Sequence, residues 1–242
     1  MGKSTGILKV TGQFDGLSFY IFNGKIIVRK TSGFEGKAIK TKANYVRTRE
    51  NASEFGLASA LGKKLRLELR PFLKKIHTPY LHNHVLKLFL EIMRCDSTSE
   101  RGKRTVALGL QTEEGRQLLD GFEFNQAVPL SSMVVSAFQL SLEDGRLVFP
   151  GLRKEAIRFP EYATHIGLQF SVLWFDAEKE SFTLAIGDKV VLPRTGFASY
   201  QSLSFATTDG TGMPIGLLFA EFLQEVNGEM LGLEGCGLKV VV

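Results

Sequence analysis

Thr164 to Asp176, Thr-His-Ile-Gly-Leu-Gln-Phe-Ser-Val-Leu-Trp-Phe-Asp, is the longest clean two-residue alternation in this chain and holds its only Trp. Ile166, Leu168, Phe170, Val172 and Trp174 alternate with Gly167, Gln169 and Ser171. Successive side chains of an extended strand point to opposite faces, so this pattern lines one face with large apolar groups. The other face begins polar and turns apolar at Leu173 and Phe175. Both faces are therefore expected to be covered near the strand's end. We read it as the central strand of a β-domain that occupies the second half of the chain.

The surrounding pattern fits that reading. Strands are expected over 133–142, 147–149, 156–159, 165–175, 181–186, 189–192, 203–206, 216–226 and 230–242. Asp144-Gly145, Gly187-Asp188 and Asn227-Gly228 are hairpin-turn signals between them. Short strands with closely spaced turn signals suggest an antiparallel β-sandwich of jelly-roll or immunoglobulin-like type. The first half differs. Residues 17–22 and 25–30 flank Asn23-Gly24, a pair that favours a type I′ turn because both central positions need φ > 0. Asp15-Gly16 is a further turn signal, and residues 37–42 read as a basic connector. Helical character begins near Lys42, where Phe55, Ala58, Leu61, Leu65 and Leu69 recur at steps of three and four. Pro71 interrupts this run. Thr78-Pro79 looks like a cap and first helical residue, followed by a stripe of Leu81, Val85, Leu88, Phe89 and Ile92 ending near Arg94. Residues 96–104 read as a polar, mobile loop, and Thr112 as the cap of a short helix. The expected class is α+β. Its parts are an N-terminal β-hairpin arm (1–36), a basic helical region (37–120) and an antiparallel β-sandwich domain (121–242).

Several pieces together carry a resemblance: Gly6-Ile-Leu-Lys-Val-Thr-Gly12 with Leu17-Ser-Phe-Tyr20, Asn23-Gly-Lys25 and Val28-Arg29; Arg49-Glu-Asn51 with Glu54-Phe-Gly56; Gly121-Phe-Glu-Phe-Asn125; and Phe159-Pro160 with Ala163-Thr-His165. The chain resembles an uncharacterised bacterial protein family with no established activity. The resemblance implies the order hairpin, helices, β-domain, and it implies no catalytic residue.

Charge is the sharper functional signal. Residues 1–104 hold 21 Lys or Arg against 8 Asp or Glu, a net +13, whereas residues 105–242 hold 9 against 17, a net −8. Such asymmetry points to a polyanion partner or to electrostatic self-association, the bland alternative being that the halves neutralise each other within one molecule. The basic surface is assigned to Arg29, Lys30, Lys42, Arg47, Arg49, Lys63, Lys64 and Arg66. Phe19, Tyr20 and Tyr45 lie among the basic residues, where aromatics stack on nucleic-acid bases. No helix-turn-helix, zinc-finger or RNP motif accompanies them.

Chemistry has little to stand on. Gly2-Lys3-Ser4-Thr5 mimics the end of a phosphate-binding loop but lacks its preceding glycine and strand. His82 and His84 are two apart, so they cannot share a helix face as metal ligands, and His77 precedes the expected helix. His165 lies within the central strand, where a satisfied imidazole is expected. Cys95 and Cys236 have neither a base nor an orienting acid in a recognisable pattern, and two cysteines make no disulfide framework. Glu221, Glu225 and Glu234 are acids whose pairing depends on their separation in space. The expectation is a non-enzymatic, cytoplasmic structural or interaction protein, without cofactor, metal site or membrane span. It associates with itself or with another protein; the alternatives are nucleic-acid binding through residues 25–75, and a β-domain that binds a ligand or carbohydrate.

Overall fold

The computed structural model describes residues 2–4, 11–31, 36–76, 78–142, 146–195, 201–204 and 211–242. The chain divides into two compact units, Met1–Arg49 and Glu50–Val242.

The first unit is built on β1 (Gly2–Ser4), β2 (Gly12–Phe14), β3 (Leu17–Phe22) and β4 (Lys25–Lys30), an antiparallel sheet ordered β1-β4-β3-β2. Gly2–Ser4 is thus a strand paired with β4 rather than part of a phosphate loop. Both turns are two residues long with left-handed backbone, at φ 45° and 71° for Asp15-Gly16 and 49° and 72° for Asn23-Gly24. That is the type I′ geometry the sequence favours. Residues directly opposite in a sheet share a face. Phe14, Leu17, Phe19, Ile21, Ile26 and Val28 therefore lie on one face, with Gln13, Ser18, Tyr20, Phe22, Ile27 and Arg29 on the other. The expected connector at 37–42 is instead largely helical, as α1 (Gly36–Thr41), followed by a 3-10 turn at Ala43–Tyr45. It is held by Arg49, whose guanidinium donates to the carbonyls of Ile39 (2.8 Å) and Lys42 (2.9 Å).

In the second unit, residues 50–68 of α2 (Val46–Glu68) lead into α3 (Arg70–Leu73), with Pro71 in its first turn, where a missing N–H costs nothing. Next come α4 (Leu81–Arg94), α5 (Val106–Gly109), α6 (Glu113–Leu119) and α7 (Leu130–Met133). The strands are β5 (Gln139–Ser141), β6 (Arg146–Phe149), β7 (His165–Asp176), β8 (Ser181–Pro193), β9 (Gln201–Ser204), β10 (Met213–Val226), β11 (Glu229–Gly232) and β12 (Gly237–Val241). They form two sheets. The larger is ordered β11-β10-β7-β8, with β12 sharing the β11 side of β10, and the smaller is β5-β6-β9; every pairing is antiparallel. The fold is α+β.

The large sheet has a covered layer on each side. On one face Leu173, Phe175, Leu217 and Phe219 share a core with Leu61 and Leu65 of α2 and with Val85 and Phe89 of α4. On the other, Ile166, Leu168, Phe170 and Val172 pack with Leu147 and Phe149 of β6 and with Leu152 and Ile157. The alternation from Ile166 to Trp174 thus faces the smaller sheet, while Leu173 and Phe175 meet the helices, as their positions required.

Several expectations need correction. Phe55 is 52% exposed, because the helix turns Glu54 inward at that level and pairs it with Arg104. Thr78 does not cap α4; its hydroxyl donates to Asn125 Oδ1 at 3.1 Å, and the helix starts after Tyr80, which is left-handed at φ 64°. Residues 96–104 are tied rather than loose: Asp96, buried, accepts from the Thr98 amide and hydroxyl and the Ser99 and Thr105 amides. Gly187-Asp188 is no hairpin turn but a bulge inside the continuous β8. Residues 154–156 form a 3-10 turn, and only the bridge between Val134 and Ile157 remains of the strand expected at 156–159. Residues 130–133 are helical, and β5 supplies only 139–141 of the expected 133–142 strand. Asn227-Gly228 does close a hairpin, at φ 54° and 83°, and Thr112 Oγ1 caps α6 by accepting from Gly115 N at 3.0 Å. The one-turn helix α5 is capped by Thr105, whose side chain accepts from the Leu108 amide. The Asp144-Gly145 signal lies outside the described residues.

Candidate functional site

The basic residues singled out from sequence fall on both units. In the first, Arg29 and Lys30 are exposed at the end of β4, Lys42 and Arg47 are exposed around the 3-10 turn, and half-buried Arg49 makes the two carbonyl contacts given above. The Arg29 guanidinium lies 5.5 Å from the centre of the Tyr20 ring, on the same sheet face, a cation–π arrangement. In the second unit Lys63 and Lys64 are exposed on α2, and Lys64 donates to the Glu180 carbonyl at 2.7 Å. Arg66 is half-buried beside Gly62, and its burial lowers the guanidinium pKa.

The first unit combines this charge with exposed apolar surface. Residues 1–49 contain 10 Lys or Arg and 2 Asp or Glu, a net +8, leaving 20 against 23 and a net −3 for residues 50–242. Phe14 is 77% exposed and Ile21 50%, on one face, and Phe22 is 62% exposed on the other. Among the described strands β2 pairs only with β3 and is the edge of that sheet.

The second unit holds a constellation that sequence reasoning missed. Glu221 of β10 is buried, and its carboxylate accepts from Lys75 Nζ (2.9 Å and 3.1 Å) and from Lys189 Nζ of β8. Burial alone raises the pKa of Glu221, but the two ammonium groups, Lys189 foremost, hold it below the usual carboxylate range. Lys75 also lies 5.5 Å from the Phe219 ring centre. The bulge decides which β8 side chain reaches this site. Ile186 lies opposite Ser171 and Lys189 opposite Gln169, so two residues of β8 face Phe170 alone. A regular strand would turn Asp188 towards Glu221; the inserted residue turns Lys189 there instead. Gln169 Nε2 pins the bulge by donating to the Gly187 carbonyl at 2.7 Å. Gly167 leaves room for Lys189, because a Cβ there would overlap Lys189 Cε and move the lysine chain from this position.

Cys236 is buried beside this cluster, and burial, followed by the Glu221 charge, pushes its thiol up to about 11. A thiol so far from ionisation is no nucleophile at neutral pH. Cys95 donates weakly to the Glu91 carbonyl (3.6 Å). His165 Nδ1 lies 2.9 Å from Thr164 Oγ1, and His82 and His84 belong to α4, while His77 lies outside the described residues. Among the described residues no group of three or more His, Cys, Asp or Glu could hold a metal ion, and no helix is long and apolar enough to cross a membrane. Glu221 and Glu234 line one cleft, and the Glu221 carboxylate is taken up by its two lysines.

No family model, curated protein or solved structure matches this chain.

Proposed function

We propose that this chain is a non-enzymatic interaction protein that self-associates, the basic N-terminal half of one copy meeting the acidic β-domain of another. The observation that carries the reading is the N-terminal sheet: a net +8 over residues 1–49 on a unit whose Phe14 and Ile21 stand in solvent. Exposed apolar surface on a small sheet favours a partner, and the charge selects an acidic one. Like units repel each other, so the contact is heterologous rather than face to face between N-terminal sheets, and it closes into a ring or continues as a filament. The free edge of β2 adds backbone pairing as a second source of affinity. In the second unit we read β5-β6-β9 and the large sheet as the two leaves of a sandwich, whose acidic surface the arm engages. A nucleic-acid reading is favoured by one specific feature, the face on which Tyr20 and Phe22 of β3 lie beside Arg29 and Lys25 of β4, since single-strand sites combine aromatic and basic groups.

Light scattering coupled to size exclusion, at low and high salt with the 260/280 nm ratio recorded, separates these. A mass of several subunits that falls as salt rises, with a protein-like ratio, is the expected result. A raised 260 nm signal lost at high salt replaces self-association with nucleic-acid binding. A monomer with a protein-like ratio under both conditions counts against both and leaves the charged halves satisfying each other.

A further inference from the structure

Glu221 is neutralised by one lysine, yet two reach it. Lys75 and Lys189 retain 51% and 31% side-chain exposure, whereas the Glu221 side chain retains 4%. The Lys75–Glu221–Lys189 cluster by itself therefore carries one surplus positive charge. It opens into a cleft of about 400 Å³ lined on its apolar side by Leu223, Met230, Leu233 and Cys236. A second cleft of about 540 Å³, bounded by Val128, Ala127 and Asn125, shares Lys75, Glu234 and Cys236 with the first. These sizes are within the usual range for small-molecule sites, and apolar walls with a few convergent polar groups are their usual make-up.

Two further features mark the lysine geometry as built. The β8 bulge exchanges Asp188 for Lys189 at this point, and Gly167 leaves the space that the Lys189 chain crosses. A buried ion pair needs only one cation, and a salt bridge is a poor source of stability, so the second lysine calls for another account.

We propose that this double cleft is a binding site for a small amphiphilic monoanion, a monocarboxylate with an apolar body. The carboxylate sits between Lys75 and Lys189, each of which keeps a free N–H when bonded to Glu221, and the body lies along Met230, Leu233 and Val128. The single surplus charge matches one negative charge and is insufficient for a phosphate dianion. Glu234, exposed, is the second carboxylate lining the clefts after Glu221, and it disfavours more highly charged ligands.

The test is calorimetric titration of the full chain with octanoate, with octanol and inorganic phosphate as comparison probes. Octanoate is expected to bind at one equivalent, octanol much more weakly, and phosphate not to compete. Lys189→Met is expected to weaken octanoate by about tenfold or more, the usual loss when a charged hydrogen-bond partner is removed. Because that variant also disturbs Glu221, Met230→Trp serves as the second. Met230 is 45% exposed, so a Trp there fills the cleft without touching the ion cluster, and it is expected to abolish binding while the far-ultraviolet spectrum is unchanged. Absence of saturable octanoate binding, equal affinity for octanol, or full binding by Met230→Trp overturns the site. Competition by phosphate overturns the monoanion assignment.

Discussion

The two units use the same turn for opposite ends. Asn23-Gly24 and Asn227-Gly228 both close antiparallel hairpins with both residues left-handed. In the second unit the hairpin belongs to a strand, β10, whose residues 215–223 are all buried between two layers. In the first, among residues 11–31 and 36–49, only Ile26 and Ile27 are buried. A two-residue turn sets register, but it supplies no burial, and a hairpin by itself is marginal in water. The difference teaches that local sequence signals of equal quality can lead to a self-sufficient core or to a sheet whose side chains stay largely in solvent. Packing across layers distinguishes them.

The largest effect that sharpens this contrast is expected in the layered core. Phe219 is 1% exposed and its ring lies 5.1 Å from that of Phe72. Phe219→Ala should cost about 3–5 kcal/mol, because it removes apolar burial and leaves a cavity beneath the helices. Trp174, the only Trp, sits in β7 and reports on this unit alone. Urea unfolding followed by its fluorescence should shift strongly for Phe219→Ala and hardly at all for Ile26→Ala. Equal shifts would mean the two units unfold as one, and the contrast would collapse.

A smaller effect should come from the charged layer under α2. Arg104 donates twice to Glu54, at 2.7 Å and 2.9 Å, and Glu54 also accepts from the Gly102 amide at 2.7 Å. Arg104→Met leaves this buried carboxylate without its cation, at a cost of about 3 kcal/mol. The Arg104 hydrogen bond foremost holds the Glu54 carboxyl below its usual range. Asp96 behaves alike: burial opposes its charge, but the Ser99 and Thr98 donors outweigh burial and depress its pKa. A carboxyl depressed by folding contributes stability above its unfolded value of about 4, and loses it as pH falls through the folded value. Melting temperatures should therefore be flat near neutrality and fall below about pH 4. Asp96→Asn should lower the plateau and shrink the acid-limb drop; an unchanged limb would show that Asp96 is not among the groups that set it.

These residues also show how far the sequence could be read. The β7 faces, both Asn-Gly turns, the α4 stripe and the Thr112 cap were legible because each depends on neighbours within about a turn or along one strand. Phe55 was misassigned because the helical period fixes which residues share a face only to within one position, and the Glu54 partner lies 50 residues away. The loop at 96–104 looked loose because polar residues mark a loop whether or not a buried Asp96 collects its amides. Gly187-Asp188 carries the letters of a turn, and only pairing with β7 makes it a bulge. The Lys75–Glu221–Lys189 cluster gave no signal, since its bonds span 146 and 32 positions and its geometry depends on that bulge. The basic residues were legible as composition, but that Arg49 is half-buried on two carbonyls and Arg66 is half-buried beside Gly62 depends on surroundings that charge alone does not encode.

The smallest effect on folding is where the comparison bears most on function. Phe14 and Ile21 share a face of the N-terminal sheet and are mostly in solvent. Replacing both by Ser removes little buried area, so stability should change by no more than about 0.5 kcal/mol per site. If that face is the one a second copy covers, the same change should lower the assembled mass, because a few well-buried apolar anchors carry most of an interface's affinity. Reversing the charge of Arg29 and Lys30 should lower it too, and more so at low salt, where the attraction is least screened. The two sets of variants separate apolar from electrostatic driving force. Loss of mass with Ser alone would make the exposed face the anchor and the charge a guide; loss with charge reversal alone would leave Phe14 and Ile21 as incidental surface. Unchanged mass in both would return the N-terminal sheet to the status of an exposed layer with no partner of its own kind.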